Sequence, residues 1–145
     1  MSAQEGHNET RLREYTERVW NDGDVEAIEE FVADDYAMHD PAFFQFPPGP
    51  AGLAQAVRIW HHAFPDAAFR IEDVVADGDR VAARWTATGT HEGELMGIEP
   101  TGAEVAFSGF ELDLMAEGVL RETWTVYDAL GVLRQIGAVP ELPLE

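Results

Sequence analysis

The sequence predicts an α+β fold, with helices first and an antiparallel sheet after them. Three observations predict it. Up to residue 66 the apolar residues recur at helical spacing. After residue 67 they alternate, as in half-buried strands. Turn signals, Asp77-Gly78-Asp79 and Glu117-Gly118, then join consecutive strands, which makes neighbours antiparallel. Three helices on one face of a curved sheet of about four to six strands satisfy this order. A curved sheet covered by helices encloses a pocket.

The elements follow in turn. Residues 1–7 are polar and predict a loose N-terminus ahead of a domain spanning 8–138, with 139–145 as a tail. Leu12, Tyr15, Val19 and Trp20 keep one face of a helix over 8–20, and Asn21-Asp22-Gly23-Asp24 stops it and caps the next. Val25, Ile28, Phe31 and Val32 give a second, short amphipathic helix, and Tyr36 to Pro41 reads as a turn-rich exit. The breakers of 47–52, PPGPAG, lead into a third helix carrying Leu53, Val57, Trp60 and Phe64, ended by Pro65-Asp66. Phe69, Ile71 and Val74 mark a first strand. Residues 80–91, 103–116 and 119–128 give three more, and Gly131 marks a turn before a short final segment.

The chain has 145 residues, enough for one domain with one core, and no apolar run long enough to span a bilayer. Its N-terminal stretch lacks the apolar segment of a signal peptide, so a cytoplasmic location is expected. With no cysteine, disulfides and thiolate metal sites are excluded. Asp and Glu number 28 against 9 basic residues, all of them Arg, for a net charge of −19. That sign makes nucleic acid and anionic membrane poor partners. An acidic chain without lysine suggests adaptation to a saline cytoplasm, where charge repulsion is screened.

The stretch FELDLM, residues 110–115, raises the functional question. As a strand it sets Phe110, Leu112 and Leu114 on one face and Glu111 and Asp113 on the other. If the carboxylates face a cavity, desolvation and mutual repulsion raise a pKa toward neutrality, which general acid–base chemistry requires. If they face water or a subunit contact, they are ordinary surface charges. His61 and His62 are adjacent on a helix and point about 100° apart, so they do not grip one metal ion together. Arg84 is read as half of a cross-strand ion pair.

Several stretches together, NDGD (21–24), HDP (39–41), AFPD (63–66), ADGDRVAARWTATGTHEGELMGIEPTG (76–102) and LRQIG (133–137), resemble the SnoaL-like polyketide cyclase/ester cyclase family of the nuclear-transport-factor-2-like (NTF2-like) superfamily. The resemblance implies a cone-shaped α+β barrel whose helices close a deep apolar cavity. It also implies a small hydrophobic ligand, no cofactor or metal, and dimers or higher oligomers formed through the sheet. Its cyclases close rings by intramolecular aldol chemistry with an acidic side chain as acid and base. In this chain Glu122 and Trp124 match the strand that carries that acid, but Thr125 stands at the acid's position and Thr123 where His is common. A threonine hydroxyl does not exchange a proton near neutral pH as a carboxyl does.

Asp113, helped by Glu111, is the expected replacement, across the sheet from Thr123 and Thr125. His39 or His91, with Thr125, is expected to hydrogen-bond an enolate oxygen. For His39 the competing role is a turn residue, and for His91 a strand end tied to loop backbone. Trp20, Val57, Trp60, Phe64 and Phe107 are the expected apolar wall. The expected function is cofactor-free acid–base chemistry of aldol cyclase or isomerase type on a hydrophobic carbonyl compound. The alternative is a ligand-binding or dimerisation domain that has lost the family acid.

Overall fold

The computed structural model describes residues 2–140. Four α-helices pack on one five-stranded sheet. They are α1 (Ala3–Tyr15), α2 (Ile28–Phe31), α3 (Pro50–Ala63) and α4 (Ala129–Gln135). The strands are β1 (Val32–His39), β2 (Ala68–Asp77), β3 (Arg80–Thr90), β4 (Glu104–Ala116) and β5 (Val119–Tyr127), in sheet order β1-β5-β4-β3-β2. The four long strands are antiparallel as expected, and β1 lies parallel to β5 at the edge. No helix among the described residues is long and apolar enough to cross a membrane.

The first helix starts at Ala3 and not at residue 8. Ser2 and Glu5 form a capping box: Ser2 Oγ accepts from the Glu5 amide at 3.1 Å, and the Glu5 carboxylate accepts from the Ser2 amide at 2.7 Å. The other Glu5 oxygen accepts the Gly78 amide at 2.7 Å, fastening this helix end to the β2–β3 hairpin. After α1 the chain widens into a π-helical turn, Thr16–Asn21. Such bulges displace backbone carbonyls from their usual partners. His61 on α3 meets the freed carbonyl of Trp20 at 2.6 Å, and the Asn21 side chain exchanges two hydrogen bonds with the backbone of Phe69 on β2. The bulge thereby fixes where the Trp20 indole points.

Two other boundaries correct the sequence reading. Residues 32–39, read as the end of a helix and a turn, form β1, which buries Val32 and Tyr36 and leaves Asp34 and Asp35 outside. The segment after Asp128 is a helix: Asp128 caps it by accepting from the Gly131 amide at 2.8 Å. The tail expected over 139–145 lies, from residue 141 on, outside the described residues. At the β4–β5 turn both Glu117 (φ 53°) and Gly118 (φ 78°) are left-handed, the pair of conformations a tight two-residue hairpin turn demands.

Two apolar clusters fill the space between helices and sheet. One gathers Leu12, Val19, Phe31, Leu53 and Leu120, and the other gathers Trp60, Phe64, Phe107 and Val132. Trp20 packs against both.

Candidate functional site

A mainly apolar cavity of about 70 Å³ opens between the two clusters. Its wall is aromatic: Trp20, Phe69, Trp85, Trp60 and Phe107 all border it, with Tyr15, Tyr36 and Tyr127 bringing phenol groups. Strand alternation explains the wall. Thr123, Thr125 and Tyr127 point inward from β5, and Tyr36 and Met38 from β1. Gly109 on β4 makes room for the Trp85 indole, since a Cβ there would lie 2.5 Å from its ring.

The carboxylates of FELDLM face this interior. Asp113 is 0% exposed, Glu111 borders the cavity, and Phe110 on the opposite face is 60% exposed. In the β4–β5 ladder Glu111 lies opposite Thr125 and Asp113 opposite Thr123. Thr123 donates to Asp113 Oδ1 at 2.5 Å, and Tyr36 donates to Thr123 at 2.8 Å. Further out, the Trp20 indole N–H donates to the Tyr15 hydroxyl at 2.9 Å. An ionised carboxylate only accepts, so the Tyr36–Thr123–Asp113 chain has one direction, toward Asp113. It delivers a donor to Asp113 and favours its ionised form.

Asp113 Oδ2 is buried and has no fixed donor. Glu111, two residues away on the same face of β4, is the neighbouring carboxyl group. Burial pushes Glu111 well above the ordinary carboxylate range, and the neighbouring Asp113 charge pushes further. Burial also raises Asp113, to about 6, against the lowering effect of the Glu111 and Thr123 side chains. Tyr36 is raised first by burial and then by the Asp113 charge. The arrangement is two neighbouring carboxyl groups, both raised by burial, one of them open to an apolar cavity.

The structure distributes the remaining candidates unevenly. Trp20, Trp60, Phe107, Thr123 and Thr125 border the cavity as expected. Val57 and Phe64 are buried but do not border it. Val57 belongs to the first cluster, and Phe64 stacks on Trp60 at 5.8 Å. Asp113 sits behind Glu111 and does not itself line the space, which reverses the order of the two acids.

Neither His39 nor His91 reaches the cavity. His39 points from β1 to the outer face, stacks on Trp124 at 5.2 Å and meets Glu122 at 2.6 Å. His91 is buried under the 92–102 loop, where its Nδ1 accepts the Thr101 amide at 3.3 Å. His39 borders a wider cleft that Asp40, Glu111 and Thr125 also line, and His91 Nε2 is buried without a hydrogen-bond partner. Arg84 makes its cross-strand pair with Asp73 at 2.6 Å.

Sequence reasoning missed Tyr15, Tyr36, Trp85, Tyr127 and Asp40 as wall residues. Alternation carried the signal for two of them: Tyr127 follows Thr125 by two positions, and Asp40 continues the inward row of Tyr36 and Met38. Tyr127 donates to Asp40 Oδ2 at 2.8 Å, and Asp40 Oδ1 accepts the Ala42 amide at 2.9 Å.

A helix-covered, strongly curved sheet around an apolar pocket with inward acids defines a small cavity protein of the NTF2-like class. The chain belongs to the SnoaL-like polyketide cyclase family, whose model matches residues 10–136. It is 30% identical over 126 residues to an aklanonic acid methyl ester cyclase of Streptomyces sp. (strain C5), covering 82% of this chain and 75% of the relative. It is 32% identical over 123 residues to a nogalonic acid methyl ester cyclase of Streptomyces nogalater, covering 82% and 90%. Among solved structures, TsrD from Streptomyces laurentii superposes with a TM-score of 0.82 at 26% identity, covering 96% of this chain and 99% of that one. A Jannaschia protein superposes with a TM-score of 0.86 at 22% identity over 97% and 98%, a likeness of fold.

Proposed function

We propose that this chain is a cofactor-free cyclase that closes a ring in a hydrophobic carbonyl compound, with Glu111 as the acid–base group and Asp113 as its anionic partner. The observation that carries the reading is the inward-facing carboxyl pair, Asp113 fully buried and Glu111 open to an aromatic-walled cavity. The curated relatives' ring-closing activities support it. Glu111 passes its proton to Asp113 and becomes a desolvated carboxylate. It then takes a proton from the carbon next to a substrate carbonyl. The resulting enolate carbon bonds to a second carbonyl carbon. The alkoxide formed there takes a proton from Glu111, and Asp113 then returns its proton to Glu111, so the pair ends as it began. Such catalysis contributes roughly 10²–10⁴-fold.

Replacement of the acid distinguishes this from a binding module, the reading that Thr125 favours. Glu111→Gln keeps size and hydrogen bonding. Turnover of a methyl ester polyketide of the kind the relatives close should fall by roughly 10²-fold or more, with ligand affinity retained. Unchanged turnover in a protein that binds the compound removes Glu111 from this role, and no turnover by the unmodified chain leaves the binding reading.

The outer face of the sheet supports a further expectation, pairing of two copies. Phe110, Trp124 and Val126 are 60%, 43% and 57% exposed there, side by side on β4 and β5. Adjacent large apolar groups of this kind mark an interaction surface.

A further inference from the structure

The cavity has a second polar group, which the acid–base scheme does not use. Tyr127 lies opposite Gly109 in the ladder, two positions from the Glu111–Thr125 pair. Two residues along a strand are about 7 Å. The phenol has one proton, and Asp40 holds it. Asp40's other oxygen is occupied by the Ala42 amide. What remains toward the cavity is the acceptor capacity of the phenol oxygen and of a carboxylate. The Tyr127 ring is clamped between Trp60, Phe107 and Trp85 at centroid distances of 5.8 to 6.0 Å, so little ordering cost attends its use.

The rest of the wall points the same way. The hydroxyls of Thr16, Thr123, Thr125 and Tyr36 already donate to protein oxygens. No Arg or His borders the space, and the chain has no Lys. Side-chain donors without a protein partner on the wall are the indoles of Trp60 and Trp85. An anion entering here meets Asp40 and the Glu111–Asp113 pair with no cation to offset them.

We propose that Tyr127 and Asp40 form a ligand-selecting site, which accepts a hydrogen bond from a hydroxyl or ammonium group of the substrate about 7 Å from the acid pair and excludes carboxylates. The role in substrate selection rests on the cavity being the reactive site proposed above, but the binding preference does not.

The test is a binding comparison with four single-ring probes, which demand the least rearrangement of a narrow cavity: toluene, p-cresol, benzylammonium and p-toluate. Affinities are read at pH 7 from indole NMR shifts. p-Cresol or benzylammonium should bind roughly five- to tenfold more tightly than toluene, the worth of one hydrogen bond, and p-toluate more weakly than toluene. Whichever of the two donors is preferred identifies the group the site takes.

Tyr127→Phe should bring the p-cresol-to-toluene ratio close to one with toluene affinity unchanged. Asp40→Asn should reduce the benzylammonium preference, and carries the comparison if Tyr127→Phe fails to fold. Ratios that do not move in either variant, or p-toluate binding as tightly as toluene, overturn the proposal. Glu111→Gln should leave the p-cresol-to-toluene ratio intact. Failure of this site and failure of the acid–base reading therefore show in different measurements.

Discussion

The two faces of the β4–β5 ladder are built against the usual rule. Asp113, Glu111, Thr123 and Thr125 point into the protein, while Phe110, Trp124 and Val126 point out of it. A half-buried strand ordinarily turns its apolar row to the core. Here the inward polar row is held by a directed chain of hydrogen bonds that satisfies Asp113 Oδ1 and leaves Oδ2 without a fixed donor. The outward apolar row stays exposed, bordered on one side by Phe44, Phe46 and Pro48. The inversion is tolerable only if each face has a use, chemistry inside and association outside. Each can be broken separately.

The largest expected effect is on the inner face and depends on pH. The unfolded chain releases the Asp113 proton near the ordinary value of about 4, and the folded protein releases it near 6. Between those values the folded state holds more protons, so raising the pH favours unfolding. The stability this group contributes is complete below about pH 4 and lost as the pH rises through about 6. The loss from Asp113 is roughly 3 kcal/mol, and Glu111, raised in the same direction, adds to it. Urea unfolding of the wild type and of Glu111→Gln/Asp113→Asn from pH 4 to 7.5 checks this. The wild type should lose stability relative to the variant as pH rises. Parallel curves would mean that the pair is not perturbed, and acids elsewhere cancel in the difference.

The sequence made one half of this inversion legible. Alternation in FELDLM separated the two rows, and the missing family acid at Thr125 directed attention to Glu111 and Asp113. It did not say which row was inside, because periodicity is symmetric between faces. Apolar spacing and turn signals carried the helical cover and the four antiparallel strands, and the resemblance added the cone-shaped barrel. It could not place β1, whose Asp34-Asp35 pair and edge position suppress the usual strand signal. The order of the two acids was also hidden. Both lie on the inward row, and only the strand's path past Thr123 sets Asp113 behind Glu111. One residue of register separates His39 from Asp40, and of the two only Asp40 borders the narrow cavity.

The outer face is sharpened by charging it. Trp124→Asp places a carboxylate in the middle of the apolar row, beside Glu122 and His39. If two copies pair through this face, an aromatic anchor at its centre is worth roughly 2 kcal/mol or more. Sedimentation at micromolar concentration should then show dimer converting to monomer, with a dissociation constant raised about 30-fold or more. Glu111→Gln should leave the mass unchanged. A wild type that sediments as a monomer at all accessible concentrations would remove association as the reason for the exposed row.

Salt gives the smallest effect and separates the two populations of carboxylates. Asp113 is the only fully buried one among the described residues. Most of the others repel one another across a surface of net charge −19. Added ions screen exposed charges over a Debye length of about 3 Å at 1 M and leave buried ones nearly untouched. Melting temperature should therefore rise by roughly 3 °C between 0.1 and 2 M KCl, about 1 kcal/mol for a domain of this size. The slope should be the same in the wild type and in Glu111→Gln/Asp113→Asn, although their stabilities differ. A flat or falling melting temperature would show that the surface acids are not mutually destabilising. A slope that changes in the variant would show the inner pair to be reachable by ions, and the cavity wetter than its aromatic wall implies.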